Sequence, residues 1–192
     1  SYYSKVIVLP HGYSENEFSK VHKRNNKGTH KWIYGGTLYP ESLEIYKKVF
    51  RFVEKNKEIV NLDLYTRETA MNFRNYKGVN FKELIIPKEF NIICQESTAF
   101  LWCFPKKFKD FFSTKLYEII RCRIPIIYIG YEGQFSQFLK KNRLGIFIEV
   151  KNLERDLQLI EEIMSDLDYN YRFPIENYEI GNLINMILPK IS

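Results

Sequence analysis

Residues 99–130 read AFLWCFPKKFKDFFSTKLYEIIRCRIPIIYIG and contain the pattern that decides the fold. An apolar run at 99–104 is followed by a polar loop, a helical pattern at 114–123 and the most apolar run of the chain, at 125–130. Short, continuous apolar runs predict strands that are buried on both faces, and an intervening helix predicts that the two strands are parallel. This stretch is therefore expected to form a strand–helix–strand unit.

The same alternation extends on both sides of this unit. Further strands are predicted at 32–34, 59–65, 79–81 and 145–150, and further helices at 40–55, 68–76, 87–95, 134–141, 153–166 and 176–188. The polar, basic stretch at 19–31 has the composition of a solvated linker. Strands that alternate with helices predict an α/β fold: a doubly wound, mostly parallel sheet with helices on both faces.

The composition excludes several classes of protein. Of 192 residues, 45% are hydrophobic and 27% are charged, which is a globular balance rather than a disordered one. No apolar run approaches the roughly 20 residues of a transmembrane helix. Three cysteines without CxxC spacing predict buried free thiols in a reducing compartment. The net charge of +6 favours an anionic ligand, nucleic acid or a membrane surface without choosing among them.

Ligands of such sheets bind beyond the carboxyl ends of the strands, in the loops that lead to the next helices. This rule selects the loops at 35–39, 104–114 and 130–133. Residues 105–123, which include the second loop, are strongly basic. They contain six basic and two acidic side chains: Lys106, Lys107, Lys109, Lys115, Arg121 and Arg123 against Asp110 and Glu118.

The start of the helix in this stretch has the groups of a phosphate site. Ser113, Thr114 and Lys115 bring two hydroxyls and an ammonium to a helix end with free backbone N–H groups. Glu118 lies one turn further on, on the same face, where its carboxylate could accept hydrogen bonds from both hydroxyls of a ribose. The alternative is a serine-capped, solvated helix in which Glu118 forms an ordinary surface ion pair.

These residues also resemble a known family. FSTKLYEIIRCRIPII at 112–127 resembles the S-x-K-x-x-E … G-x-P-[IV]-[IV] segment of GT-B glycosyltransferases, in particular the bacterial family 4 enzymes of capsule, O-antigen and exopolysaccharide assembly. Three further segments occur in the family's order: IVLPHGY at 7–13, IYGGTL at 33–38, and FL at 138–139 with LGI at 144–146. The resemblance covers nearly the whole chain.

The resemblance implies the donor-binding half of a two-domain glycosyltransferase, which transfers a sugar from a nucleotide-sugar to a glycan or lipid-linked acceptor. Residues 1–31 would be a linker and the segment leaving a missing N-terminal domain, 32–166 the Rossmann-like domain, and 167–192 a loop and crossing helix. The absence of an initial methionine fits a chain cut from a longer protein. The family also implies hexosyl transfer with retention, no obligatory metal or other cofactor, and a place in the cytoplasm or at the inner face of the membrane.

The resemblance assigns roles to particular residues. Glu118 would hold the ribose, the helix start at 113–115 would face the diphosphate, and the turn at 35–37 would border the phosphates or the cleft. The base would lie on backbone near Lys82. Asp110, separated from Glu118 by seven intervening residues, matches the first acid of the family's acidic pair and is the candidate catalytic residue. The expected substrate-binding residues are Gly35, Gly36, Thr37, Lys82, Ser113, Thr114, Lys115 and Glu118.

Two features depart from the family's pattern. At position 110 an aspartate replaces the usual glutamate, and Phe111-Phe112 follow it where small residues are expected. The Arg and Lys that neutralise the diphosphate in the family are replaced by Thr37 and Leu43. The candidates to take over their role are Lys115, Arg67 and the lysines among 106–109.

A second hypothesis is that the chain binds a ligand without catalysing a reaction. The lysines among 106–109, with Arg121 and Arg123, would bind phosphates while Phe108 and Phe111 stack on bases. The chain would then be a basic α/β binding module for nucleic acid or another polyanion, whereas the first hypothesis expects no nucleic acid partner.

Two further expectations concern the C-terminal part of the chain. Asp166-Leu167-Asp168 matches a metal-binding D-x-D motif, but a solvated turn is expected there and no metal ligand is assigned. The last helix is expected to expose four apolar side chains: Ile180, Leu183, Ile184 and Ile187.

Overall fold

The computed structural model describes residues 10–18, 29–67, 75–165 and 169–191. The strands are β1 (His30–Gly35), β2 (Val60–Tyr65), β3 (Val79–Lys82), β4 (Ala99–Cys103), β5 (Ile126–Gly130) and β6 (Gly145–Glu149). The helices are α1 (Leu43–Lys55), α2 (Pro87–Gln95), α3 (Leu116–Arg121), α4 (Gln134–Asn142), α5 (Leu153–Gln158), α6 (Ile160–Ser165) and α7 (Ile180–Ile191).

The strands form one six-stranded sheet in the order β3-β2-β1-β4-β5-β6. All five neighbouring pairs are parallel, which confirms the predicted α/β fold. The strand order reverses between β1 and β4, and this is where doubly wound sheets form their ligand-binding crevice. The carboxyl ends of these two strands lead into the loops that begin at Gly36 and Phe104.

Helices cover both faces of the sheet because apolar side chains project from both faces of its strands. Trp32 and Tyr34 of β1 turn towards α1, where their rings lie 6.1 Å from Phe52 and 5.6 Å from Tyr46. The neighbouring Gly35 lies against Phe90 of α2 on the opposite face. Every residue of the central strands β4 and β5 is buried, as expected for a parallel sheet covered on both sides.

Several predicted boundaries were wrong. β1 begins at His30 rather than at 32, because His30 and Lys31 continue the pairing with β2. The helix predicted over 114–123 is the shorter α3, and Arg123 has left the helical conformation, with φ of 58°. The helix predicted over 153–166 is broken into α5 and α6 at Leu159. The apolar spacing of Leu153, Leu157 and Ile160 continues across that break and gave no sign of it.

Other predicted segments lie partly or wholly outside the described residues. These are the first residues of the segment at 7–13, most of the linker predicted over 19–31, most of the helix predicted over 68–76, and the D-x-D motif at 166–168. The helix predicted over 176–188 is a 3-10 turn, Ile175–Tyr178, followed by α7. It is interrupted because Glu179 has an extended backbone, with ψ of 134°, and pairs with Tyr13.

The two outer segments of the described chain meet at α3. The Tyr13 N–H donates to the Tyr178 carbonyl at 3.0 Å, and the Ile180 N–H donates to the Tyr13 carbonyl at 3.0 Å. The ring of Tyr178 stacks on Tyr117 of α3 with centroids 4.1 Å apart. The segment around Tyr13 and the segment around Tyr178 therefore pack together on α3, the helix that carries Glu118.

The exposure predicted for the last helix is only partly right. Ile180 and Ile184 are exposed, whereas Leu183 is buried because it packs beside Gly12. The side chain of Ile187 lies outside the described set. The three cysteines are free and buried, as predicted. No helix in the described ranges is long and apolar enough to cross a membrane.

Candidate functional site

A contiguous group of side chains lies at the carboxyl end of β1, on the face that α2 and α3 cover. Gly35 ends this strand and is buried against the ring of Phe90. The Lys115 ammonium also lies over that ring, 5.2 Å from its centroid. Lys115 in turn acts electrostatically on Glu118. The structure thus connects Gly35 to Lys115 through Phe90, and Lys115 to Glu118.

Sequence analysis did not single out Phe90. It was placed within the predicted helix over 87–95, but helical spacing alone cannot show that its ring lies between a glycine of one loop and a lysine of another. A side chain at position 35 would place its Cβ 2.3 Å from Cζ of Phe90, which explains why only glycine fits there. The glycine turn therefore serves ring packing as well as an open cleft.

Gly35→Ala tests this contact. We expect the alanine to push the Phe90 ring away from β1 and to lower the free energy of unfolding by about 1–3 kcal/mol through overpacking. Urea denaturation would measure the loss. The double variant Gly35→Ala/Phe90→Leu, in which a smaller side chain leaves room for the methyl group, should recover part of it. A double variant no more stable than Gly35→Ala alone would contradict the packing argument.

The Glu118 side chain is held in a partly buried environment, and no ion pair of it with another described residue is seen. It is partly buried, and desolvation raises its pKa above the ordinary value of 4.5, an effect that Lys115 opposes and the Glu17 carboxylate reinforces. Among the described residues, its carboxylate takes part in no hydrogen bond or ion pair. A partly desolvated carboxylate without a partner is costly for folding and is typical of functional sites.

The residues before Glu118 are arranged differently from the predicted phosphate site. The Lys115 N–H donates to Oγ of Ser113 at 3.3 Å, and the Leu116 N–H donates to the Ser113 carbonyl at 3.0 Å. Two of the backbone donors predicted to be free are therefore already used within the turn. Thr114 is exposed. The positive charge available at this point is that of the Lys115 side chain.

Asp110 caps a helix. Its Oδ1 accepts a hydrogen bond of 2.8 Å from the Gln134 N–H, at the first residue of α4. A Cβ at Gly133 would lie 2.6 Å from the same oxygen, so the close approach depends on that glycine. The Asp110 side chain is about half exposed. Its catalytic role stays a prediction, and the structure adds a structural role to it.

The basic residues of 105–123 do not form one surface. Arg121 makes a two-pronged ion pair with Glu15 and lies over the ring of Phe18. Arg123 donates to the carbonyls of Tyr171 and Phe173 and pairs with Glu176. Both arginines lie at the C-terminal end of α3, Arg121 as its last residue and Arg123 two residues beyond, whereas the loop at 104–114 precedes the start of this helix.

Two lysines of that loop also lie beside different acidic side chains. Lys107 pairs with Glu41, which follows the first glycine turn, and Lys109 lies 4.0 Å from Asp110. Phe108 packs on Tyr39 with ring centroids 4.9 Å apart and on Phe104 at 6.1 Å. This loop is therefore fastened to the loop after β1, and the rings proposed to stack on bases pack partly on each other.

The remaining predicted positions lie at the same edge of the sheet but are spread along it. Gly36 donates its N–H to the Tyr65 carbonyl at 3.0 Å, and the Thr37 carbonyl accepts from the Tyr34 hydroxyl at 2.6 Å. Lys82 is exposed at the end of β3, two strands from β1, a separation of about 10 Å. Within the described ranges, no group of three or more His, Cys, Asp or Glu side chains is arranged to hold a metal ion.

Solved structures share this fold. The chain superposes on WaaG, a glycosyltransferase involved in lipopolysaccharide biosynthesis, with a TM-score of 0.61 at 11% identity, over 94% of this chain and 55% of WaaG. It superposes on HepE from Anabaena, in complex with UDP-glucose, with a TM-score of 0.62 at 12% identity, over 97% of this chain and 57% of HepE. A structure from Listeria monocytogenes, provisionally designated a UDP-N-acetylglucosamine 2-epimerase, superposes with a TM-score of 0.62 at 13% identity, over 92% of this chain and 49% of that one.

These likenesses establish the fold: an α/β, Rossmann-like domain of the kind found in GT-B glycosyltransferase structures. The chain spans about half the length of the structures that it matches, 49–57% for the three named. The sequence matches no protein-family model and no curated protein.

Proposed function

We propose that the chain is the donor-binding half of a glycosyltransferase and binds a nucleotide-sugar at the carboxyl ends of β1 and β4. The observation that carries this proposal is Glu118: a partly desolvated carboxylate that pairs with no other described residue, beside a lysine, at the crevice where such folds bind nucleotides. In support, one structure of the same fold is a complex with UDP-glucose and another is a glycosyltransferase.

In this proposal Glu118 accepts hydrogen bonds from the ribose hydroxyls. Its raised pKa reflects water lost without compensation, and two hydroxyl donors would supply that compensation. The turn at 35–37 borders the phosphates, and Ser113 and Thr114 lie beside them. The base rests on backbone near Lys82, at the edge of the site.

Lys115 takes over the charge of the family's missing Arg and Lys. Leu43 and Thr37 cannot supply it, Lys107 is paired with Glu41, and Lys109 lies near Asp110. Lys115 forms no ion pair with another described residue and lies beside both Phe90 and Glu118. Lys106 and Arg67, which lies two residues beyond β2, are the remaining candidates for a second positive charge.

The protein's contribution to transfer is electrostatic. When the bond between the anomeric carbon and the diphosphate oxygen breaks, its electron pair stays on the nucleoside diphosphate, and a fixed ammonium there lowers the energy of the transition state. The incoming bond is formed by a hydroxyl of a glycan or lipid-linked acceptor, held by the other half of the intact enzyme. We propose that transfer retains the anomeric configuration, needs no metal and moves a hexose.

The buried free thiols suit a cytoplasmic protein, with any contact at the inner face of the membrane made through the other half. The ion pairs of Arg121 and Arg123 leave the competing hypothesis, a nucleic acid or polyanion module, without two of its proposed contacts.

A thermal-shift panel tests the proposal. UDP, GDP, ADP, CMP and their common sugar conjugates would be compared at two salt concentrations. A ligand at 100 times its dissociation constant adds about 2.7 kcal/mol of stability, which for a chain of this size raises the melting temperature by roughly 5–10 °C. We expect such a shift with one nucleoside diphosphate and its conjugates. No shift with any nucleotide, together with a salt-sensitive shift with oligonucleotides, would instead support the polyanion module.

A further inference from the structure

A cavity lies at the amino ends of the strands, opposite to the carboxyl ends where the donor site is proposed. It has a volume of about 140 Å³ and is bounded by the first residues of β1 and β2 together with α1, α5 and α6. Its walls are mainly apolar: Trp32, Phe52, Val60, Leu157, Ile160 and Met164. The start of β1 is about 17 Å from its end at Gly35, so this cavity and the donor site do not overlap.

The cavity opens into a basic groove between α1 and α5. The groove has a volume of about 490 Å³ and shares Phe52, Asn56, Leu157 and Gln158 with the cavity. Among the described residues, its rim carries the cations Lys48, Arg51 and Lys55 and one acid, Glu154. Lys48 pairs with Glu154 at 3.0 Å. Arg51 and Lys55 form no ion pair with another described residue, so two positive charges remain at the mouth.

We propose that this site binds a small amphiphilic anion, with its apolar body in the cavity and its charged head between Arg51 and Lys55. A cavity of about 150 Å³ lined by apolar side chains takes up benzene, so a body the size of a six-carbon chain or one aromatic ring fits. The stacked rings of Trp32 and Phe52, 6.1 Å apart, form one wall. The volume is too small for the tail of a membrane lipid, which identifies the ligand as a free small molecule.

Sodium alkanoates are the probes. Butanoate, hexanoate and octanoate carry the same head on bodies of increasing length, and 1-hexanol has the hexanoate body without the charge. Each buried methylene should tighten binding about fourfold, so hexanoate should bind about fifteenfold more tightly than butanoate. Octanoate should gain less than that over hexanoate, because the cavity is then full. Titrations followed by NMR would give the affinities, and contacts between the hexanoate methyl and the Trp32 indole would locate the body.

Charge variants separate the head from the body. Arg51→Gln/Lys55→Gln should weaken hexanoate binding about three- to tenfold at low salt and leave hexanol binding unchanged. Both residues are exposed on α1, so the variant should fold. Lys47→Gln/Lys57→Gln removes two lysines that lie outside the groove and is the matched control. Glu118→Ala should not change hexanoate binding, which distinguishes this site from the donor site.

Several outcomes would overturn the proposal. One is the absence of hexanoate binding at millimolar concentration, and another is equal affinity for hexanoate and hexanol in the unmodified protein. A third is binding to phosphatidylglycerol vesicles without binding to free alkanoates, which would mean that a membrane is the partner. A fourth is association of the chain with itself that Arg51→Gln/Lys55→Gln abolishes, which would mean that a second copy covers the groove.

Discussion

Glu118→Ala is expected to abolish nucleotide-sugar binding and, at neutral pH, to raise the free energy of unfolding. Two hydrogen bonds from ribose hydroxyls to a carboxylate are lost together, and bonds to a charged group contribute about 1.5–3 kcal/mol each. The dissociation constant should therefore rise at least about a hundredfold. Isothermal titration with the nucleotide identified by the thermal-shift panel would measure it.

The gain in stability has a separate cause and a defined pH range. Burial raises the Glu118 pKa in the folded state above its ordinary value of 4.5, so the folded protein binds this proton more tightly than the unfolded chain does. Stability is therefore lost as the pH rises from about 4.5 through the raised folded pKa. Glu118→Gln removes this loss, so the variant should be more stable than the parent at pH 7 and lose that advantage near pH 4.

Matched variants make the two effects separable. Glu118→Gln keeps the size of the side chain but not its charge, and Glu96→Ala removes an exposed glutamate just beyond the end of α2. Glu96→Ala should change neither binding nor the pH dependence of urea denaturation. If Glu118→Ala weakened binding and also destabilised the fold at pH 7, Glu118 would be a structural residue and the donor-site assignment would fail.

Gly145→Ala is expected to produce the largest loss of stability. A Cβ at this position would lie 2.0 Å from the carbonyl oxygen of Ile126 and 2.6 Å from its nitrogen. These are backbone atoms of the buried strand β5, which cannot move without breaking its pairing with β6. We expect a loss of about 3 kcal/mol or more. The melting temperature should fall by roughly 6–12 °C.

Gly181→Ala is the control for this prediction. There the nearest atom to a new Cβ is Oε2 of Glu179 at 2.8 Å, at the end of a flexible side chain that accepts a hydrogen bond of 3.1 Å from the Asn182 N–H and can shift slightly. Since Gly181 lies in α7, alanine should leave stability unchanged or raise it by up to about 1 kcal/mol. Thermal unfolding followed by circular dichroism would compare the two. Equal behaviour of the two variants would show that β6 tolerates displacement at Gly145.

The fold could be predicted from the sequence because its strands and helices are strongly periodic. The fully apolar runs at β4 and β5 predicted a parallel sheet, and Pro87 predicted the start of α2. The breaks could not be predicted, since they depend on contacts between distant segments. Glu179 is extended because it pairs with Tyr13, far away in the sequence.

The residue types of the site could be predicted from the sequence, but the groups with which those residues pair could not. Ser113, Lys115 and Glu118 stood out because helical spacing brings them together. That Arg121 and Arg123 are bound by Glu15 and Glu176 depends on segments that pack on α3 only in the folded chain. Likewise, an aspartate followed by two phenylalanines gives no sign that Asp110 caps a helix 24 residues further on.

The bridge between Tyr13 and Glu179 has a mechanical consequence. The segments around Tyr13 and Glu179 are paired in parallel. A force that pulls the chain apart from the side of residue 10 and the side of α7 therefore loads their two hydrogen bonds in shear, so that both bonds must break at once. The ion pairs of Arg121 and Arg123 anchor the same two segments to α3 and share the load. A pulling force would therefore be resisted at this junction first, while the six-stranded sheet behind it bears little strain.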